Sequence, residues 1–110
     1  MEDYGSIAFL REKGGPIGEA VGRLVDATYD AALDAKTREL VYIGIHSAVG
    51  WRAGIIAHIE RALVAGCAPD EIVDAMMTAT VNGGVNGVIA ALPAALKEIE
   101  AASERIARRG

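Results

Sequence analysis

The stretch AKTRELVYIGIHSAVGWRAGIIAHIERALVAG, residues 35–66, decides how this chain folds. It holds no β-branched run with period-two alternation, and alanine recurs throughout, so it reads as helix. Gly50 divides it into two helices, one from about 36 to 49 and one from Trp51 that stops at Gly66, a natural residue just past a helix end. Asp34 is well placed to cap the first of them. Beyond Glu39 that helix carries no formal charge except a possible one on His46, so it is expected in the interior of a fold or an assembly.

The reading extends outward from this hairpin. EDYGSIAFLREK, residues 2–13, is expected to form a short helix ended by Gly14 and Gly15. Pro16 suits the first turn of the next, which is expected to run through Leu33 with Ile17, Val21, Leu24, Val25 and Thr28 on one stripe. Pro69 opens a helix over PDEIVDAMMTATVN, residues 69–82, with Asp70 and Glu71 at its positive end. Gly83 and Gly84 interrupt the chain. A last helix is expected from about Val85 to Arg108, kinked or divided by Pro93. Its second part is charged on most faces and is expected at the surface. The result is an all-α bundle of roughly six helices in one domain, residues 1–110, without linkers or repeats.

Composition narrows what such a bundle can do. Hydrophobic residues make up 52% of the 110-residue chain. That is high for so small a domain and implies apolar surface buried between subunits, hence a homo-oligomer. Net charge is −4 and the only basic block is the tail RIARRG. No nucleic-acid face and no attraction to an anionic membrane follow from that balance. No apolar run reaches the roughly eighteen residues of a membrane span. The N-terminus has no secretory pattern, and the single cysteine, Cys67, forms no internal disulfide. The cytoplasm is the expected compartment.

Candidate chemistry follows from helical spacing, because residues three and four apart share a face. Glu39, Tyr42 and His46 form one stripe; Trp51, Gly54 and His58 form another. An antiparallel hairpin about Gly50 would bring a carboxylate to an imidazole, fix its tautomer, and make His58 with Glu39 a general acid/base pair. The plainer alternative is a hydrogen-bonded core histidine. His46 would line the site or a subunit contact. Arg52 offers a fork for a substrate carboxylate, or simply an exposed charge. Two histidines and one thiol are too few for a metal site, and neither a dinucleotide fingerprint nor a phosphate loop is present, so no metal or cofactor is expected. Met76 and Met77 read as packing residues. Cys67, with no basic neighbour in sequence, reads as a small, partly exposed loop residue.

From Leu33 to about Leu96 the chain resembles the carboxymuconolactone decarboxylase family, which includes the alkylhydroperoxidase D-like proteins. The resemblance rests on the Glu of RELV, the His of AHIERAL, the glycine turn before PDEI and the NGGVNG segment together. It implies an alkylhydroperoxidase D-like helical fold assembled as a trimer or hexamer. The redox branch carries Cys-x-x-Cys-x-x-x-His with a Glu one helix earlier. Here that His is His58, the Glu is Glu39, and the cysteine positions hold Trp51 and Gly54. Neither supplies a thiolate, so disulfide chemistry there is excluded. The decarboxylase branch implies a small lactone or cyclic carboxylic acid as ligand and proton transfer as chemistry, with Trp51 narrowing the pocket. Three readings therefore stand in order: a cofactor-free lyase or isomerase, a non-catalytic binding or structural oligomer, and, last, a peroxidase-type antioxidant.

Overall fold

A computed structural model describes residues 7–110. These residues hold six α-helices, one 3₁₀ turn and no strand. The chain divides into two compact units, one ending at Asp34 and one running from Ala35 to Gly110.

The first unit contains α1 (Ile7–Lys13) and α2 (Gly15–Tyr29). The part of the first expected helix that precedes Ile7 lies outside the described residues. Gly18 and Gly22 are the buried residues of α2, with the Leu10 backbone and the Arg11 side chain lying across them. Arg11 reaches on to Asp26 at 2.6 Å. The expected stripe of α2 is not its buried face: Ile17 and Leu24 are exposed. The helix also stops short of Leu33, because the Asp30 N–H bonds back to the Ala27 carbonyl and tightens the last turn.

The second unit contains α3 (Ala35–Val49), α4 (Arg52–Val64), α5 (Pro69–Thr78), the 3₁₀ turn Ala79–Asn82 and α6 (Val85–Arg109). The α3–α4 link is set by Gly50. At φ +74° it takes the left-handed conformation that a side chain disfavours. Its N–H bonds to the Ser47 carbonyl and the Trp51 N–H to that of His46, at 3.2 and 2.8 Å. That pair of bonds is a Schellman motif, which caps α3 and folds the chain back on it. The same pattern ends α4, with the Gly66 N–H on Leu63 and the Cys67 N–H on Ala62.

At α5 the Glu71 side chain accepts the Ala68 N–H at 2.8 Å. The Ala68 carbonyl accepts the Glu71 N–H at 3.0 Å, and Pro69 fills the first turn. The expected helix over 69–82 is split, its last four residues tightening into the 3₁₀ turn before Gly83.

The core of this unit lies among α3, α4, α5 and α6, around Ile43, Ile55, Ile59, Ile72, Met76 and Ile99. Met76 is fully buried, but Met77 is 44% exposed and does not pack there. Cys67 is buried, correcting its expected partial exposure; its thiol faces the Lys36 carbonyl at 3.6 Å. Pro93 does not divide α6, which runs unbroken for 25 residues. Nor is its second part wholly at the surface. Ala95, Ile99 and Ala102 recur at i, i+4 and i+7 and are buried against the core. Its charges sit beside that stripe, where Arg105 pairs with Glu60 of α4 at 2.8 Å and also with Glu98. The apolar third helix is only partly interior. Glu39, Ile43 and Ser47 are buried, whereas Val41, Ile45 and Val49 form an exposed row. No helix among the described residues is long and apolar enough to cross a membrane.

Candidate functional site

The Schellman turn at Gly50 sets α3 and α4 antiparallel, so residues near the start of α3 meet the second half of α4. Glu39 and His58 meet there. Oε1 of Glu39 lies 2.7 Å from Nδ1 of His58. The Glu39 side chain is 3% exposed and that of His58 12%. A carboxylate only accepts hydrogen bonds, so Nδ1 carries the proton and donates it. In the neutral ring Nε2 is then the acceptor.

Three further rings complete the cluster. Tyr42, one turn beyond Glu39 on α3, stacks on His58 with centroids 4.9 Å apart. His46, a turn further on, lies 5.1 Å from the His58 ring and 6.0 Å from that of Tyr42. Trp51 meets His46 edge to face at 4.7 Å. Its position follows from the turn: its own N–H is held by the His46 carbonyl, which returns the indole over that residue.

Gly54 is the floor of this arrangement. A Cβ there would stand 2.5 Å from Cε3 of Trp51 and 2.7 Å from Nδ1 of His46. The indole and the imidazole therefore fill the space that any side chain at position 54 would need. Nδ1 of His46 is itself buried and has no hydrogen-bond partner among the described residues. Burial, reinforced by the neighbouring His58, holds His46 below the ordinary histidine value of 6.5; the Gly54 backbone and the charge of Glu39 offset part of that.

The structure thus brings Glu39, His58, His46 and Trp51 together. Arg52, at the first position of α4, is exposed and has no hydrogen bond or ion pair among the described residues. One participant was not singled out as a site residue in the sequence. Tyr42 was visible on the Glu39 stripe, but its stacking on His58 depends on how the two helices cross. Arg38, on the same helix but outside these contacts, gave no signal. Its Nε and Nη2 are buried without a hydrogen-bond partner.

No group of three or more potential ligands among the described residues could hold a metal ion. Comparison with known proteins bears on the rest. The model of the carboxymuconolactone decarboxylase family matches residues 16–97, most of the chain. The chain belongs to this family. Comparison with the curated proteins and with the solved structures gives no significant match. Within the carboxymuconolactone decarboxylase family, then, this member carries a carboxylate–imidazole pair enclosed by aromatic rings. Trp51 and Gly54 stand seven and four residues before His58, and neither carries sulfur. The one cysteine of the chain lies past the end of α4.

Proposed function

We propose that this protein is a cofactor-free lyase or isomerase that moves a proton on a small carboxylated ring or lactone. His58 is its acid/base and Glu39 orients the imidazole. The observation that carries the reading is the 2.7 Å contact between a nearly dry carboxylate and Nδ1 of His58. With Nδ1 committed to Glu39, Nε2 is the nitrogen left to exchange a proton with a substrate. In a decarboxylation the bond between the ring carbon and its carboxyl breaks, CO₂ leaves, and the electron pair passes into the conjugated lactone as a dienolate. For this direction the ring starts doubly protonated: Nε2 gives its proton to form the new C–H bond, which leaves the neutral imidazole, and solvent then returns a proton to Nε2. In an isomerisation the same nitrogen removes a proton from one ring carbon and returns it to another. Tyr42, His46 and Trp51 wall the site, and their low-polarity rings strengthen the pairing.

The burial of Glu39 also favours a second reading, a structural hydrogen bond in a non-catalytic oligomer. A thiol antioxidant is last, since one cysteine supplies no dithiol. We infer further that the chain self-associates, as a trimer or hexamer, through surfaces that include the exposed row Val41, Ile45 and Val49. A reducing, cytoplasmic setting suits the lone thiol.

The test is turnover of carboxymuconolactone, followed as CO₂ release. The wild type is expected to consume it. His58→Ala is expected to lower kcat by about 10²–10⁴-fold, the usual share of a general acid/base, with helix content and assembly unchanged. A wild type without turnover, together with a His58→Ala chain that unfolds or falls apart, would establish the structural reading instead.

A further inference from the structure

Arg38 is a cation in an unusual position. Its Nε and Nη2 are shut off from solvent, neither has a hydrogen-bond partner, and no carboxylate among the described residues lies within ion-pair reach. Charged-group donors closed off from water normally come with an acceptor, because leaving them unsatisfied is costly. Neighbouring Glu39 does not serve. It is engaged with His58, and adjacent helix residues do not face each other.

The helix defines where Arg38 stands. Arg38, Tyr42 and His46 follow one another at four-residue spacing, so they lie in one row on α3. The Cβ atoms of Arg38 and Tyr42 are about 5–6 Å apart by that spacing. A helical side chain leans over the turn that precedes it, which sets the Tyr42 ring over the turn bearing Arg38 and Glu39. The same ring stacks on His58. The row therefore begins with an arginine whose Nε and Nη2 lack a partner, continues with the ring against the acid/base, and ends with an imidazole whose Nδ1 is also without a partner.

We infer that Arg38, not Arg52, anchors the carboxylate of an anionic ligand at this site. The assignment rests on the proton-transfer reading for its location. It adds the residue that receives the ligand's carboxylate, about one helical turn from the group that exchanges a proton with His58. A planar fork of N–H donors suits a carboxylate held by two parallel hydrogen bonds. The cation also answers an electrostatic problem. An acid approaching the anionic Glu39 would be repelled, and Arg38 offsets that repulsion. Arg52 is exposed to water, where an equivalent contact is worth little.

The probes are 5-oxotetrahydrofuran-2-carboxylate, a saturated lactone acid, and its methyl ester, each titrated calorimetrically into the full chain. The wild type is expected to bind the acid roughly ten- to hundredfold more tightly than the ester, the range of a charged hydrogen bond. Arg38→Met should bring the acid down to the ester's level and leave the ester unchanged. Arg38→Lys should fall between, and Arg52→Ala should match the wild type. Without ligand, Arg38→Met is expected to melt at a higher temperature, since it removes two buried donors that have no acceptor; the acid should raise the Tm of the wild type alone.

A wild type that binds the acid no better than the ester, or fails to bind it at millimolar concentration, overturns the assignment. So does an Arg38→Met protein that keeps the preference, that melts lower, or that loses its assembly, the last placing Arg38 in a subunit contact. The two readings fail separately. Acid binding that depends on Arg38 without turnover of carboxymuconolactone leaves the anchor and removes the enzyme. Turnover with a KM untouched by Arg38→Met does the reverse.

Discussion

Gly54, Trp51 and His46 share one small volume, and their identities constrain each other. A methyl group at position 54 meets the indole at 2.5 Å and the imidazole at 2.7 Å. Gly54→Ala is therefore expected to destabilise by about 1–3 kcal/mol through overpacking, less the ~1 kcal/mol that alanine gains in a helix. In a Trp51→Ala background the same change should cost clearly less; urea unfolding of the four proteins of this cycle measures the difference. His46 makes a separate prediction. Its folded pKa is depressed, first by burial and then by His58. The unfolded chain therefore takes up a proton near pH 6.5 that the folded chain resists. Stability should be full above that value and fall as the pH is lowered below it. Midpoints of unfolding from about pH 8 to about pH 5 should decline less in His46→Gln than in the wild type. Much of this site could be read from spacing, since Glu39, Tyr42 and His46 share a stripe and His58 follows Trp51 on the next helix. Arg38 could not, because whether an arginine finds a partner depends on what surrounds it. Arg52 offers a fork donor by its chemistry, but the helix start leaves it in water, the exposed charge that its sequence position also allowed.

At the scale of elements, glycine and proline marked most boundaries correctly, because each acts through local backbone sterics. Gly50 and Gly66 end α3 and α4 in Schellman turns, and Pro69 opens α5. Boundaries without such residues were misplaced. α2 ends at Tyr29 where Asp30 tightens the turn, and α5 gives way to a 3₁₀ turn at Ala79. In α6 the abundance of charge hid a narrow stripe of Ala95, Ile99 and Ala102. Alanines contribute little to an apolar pattern, yet they allow close packing against α4. Pro93 lies inside α6 and is exposed, and it cannot supply the N–H that residue 89 would accept. Pro93→Ala should therefore raise stability, by up to about 3 kcal/mol, the full interior-proline penalty. Thermal unfolding monitored by circular dichroism checks it, and a lower Tm would mean that the proline is needed for the packing of α6.

For the whole molecule, the high apolar content anticipated association, and the exposed row Val41, Ile45 and Val49 on α3 is one surface where it would act. Ile45→Glu should reduce the assembly to smaller species in light scattering at unchanged helix content; an unaltered mass would move the interface elsewhere. The same row explains why a helix with no charge after its first turn is not wholly interior in one chain. Its apolar residues divide between the core of the second unit and an exposed row. The account as a whole depends on Glu39 holding His58 so that Nε2 serves the substrate. Turnover of carboxymuconolactone in D₂O by assembled wild type and Glu39→Gln tests this most directly. The account predicts that the wild type places one deuterium on a ring carbon of the dienolate, and that Glu39→Gln, equally folded and assembled, does so about 10²–10⁴-fold more slowly. Equal rates in the two proteins would contradict it.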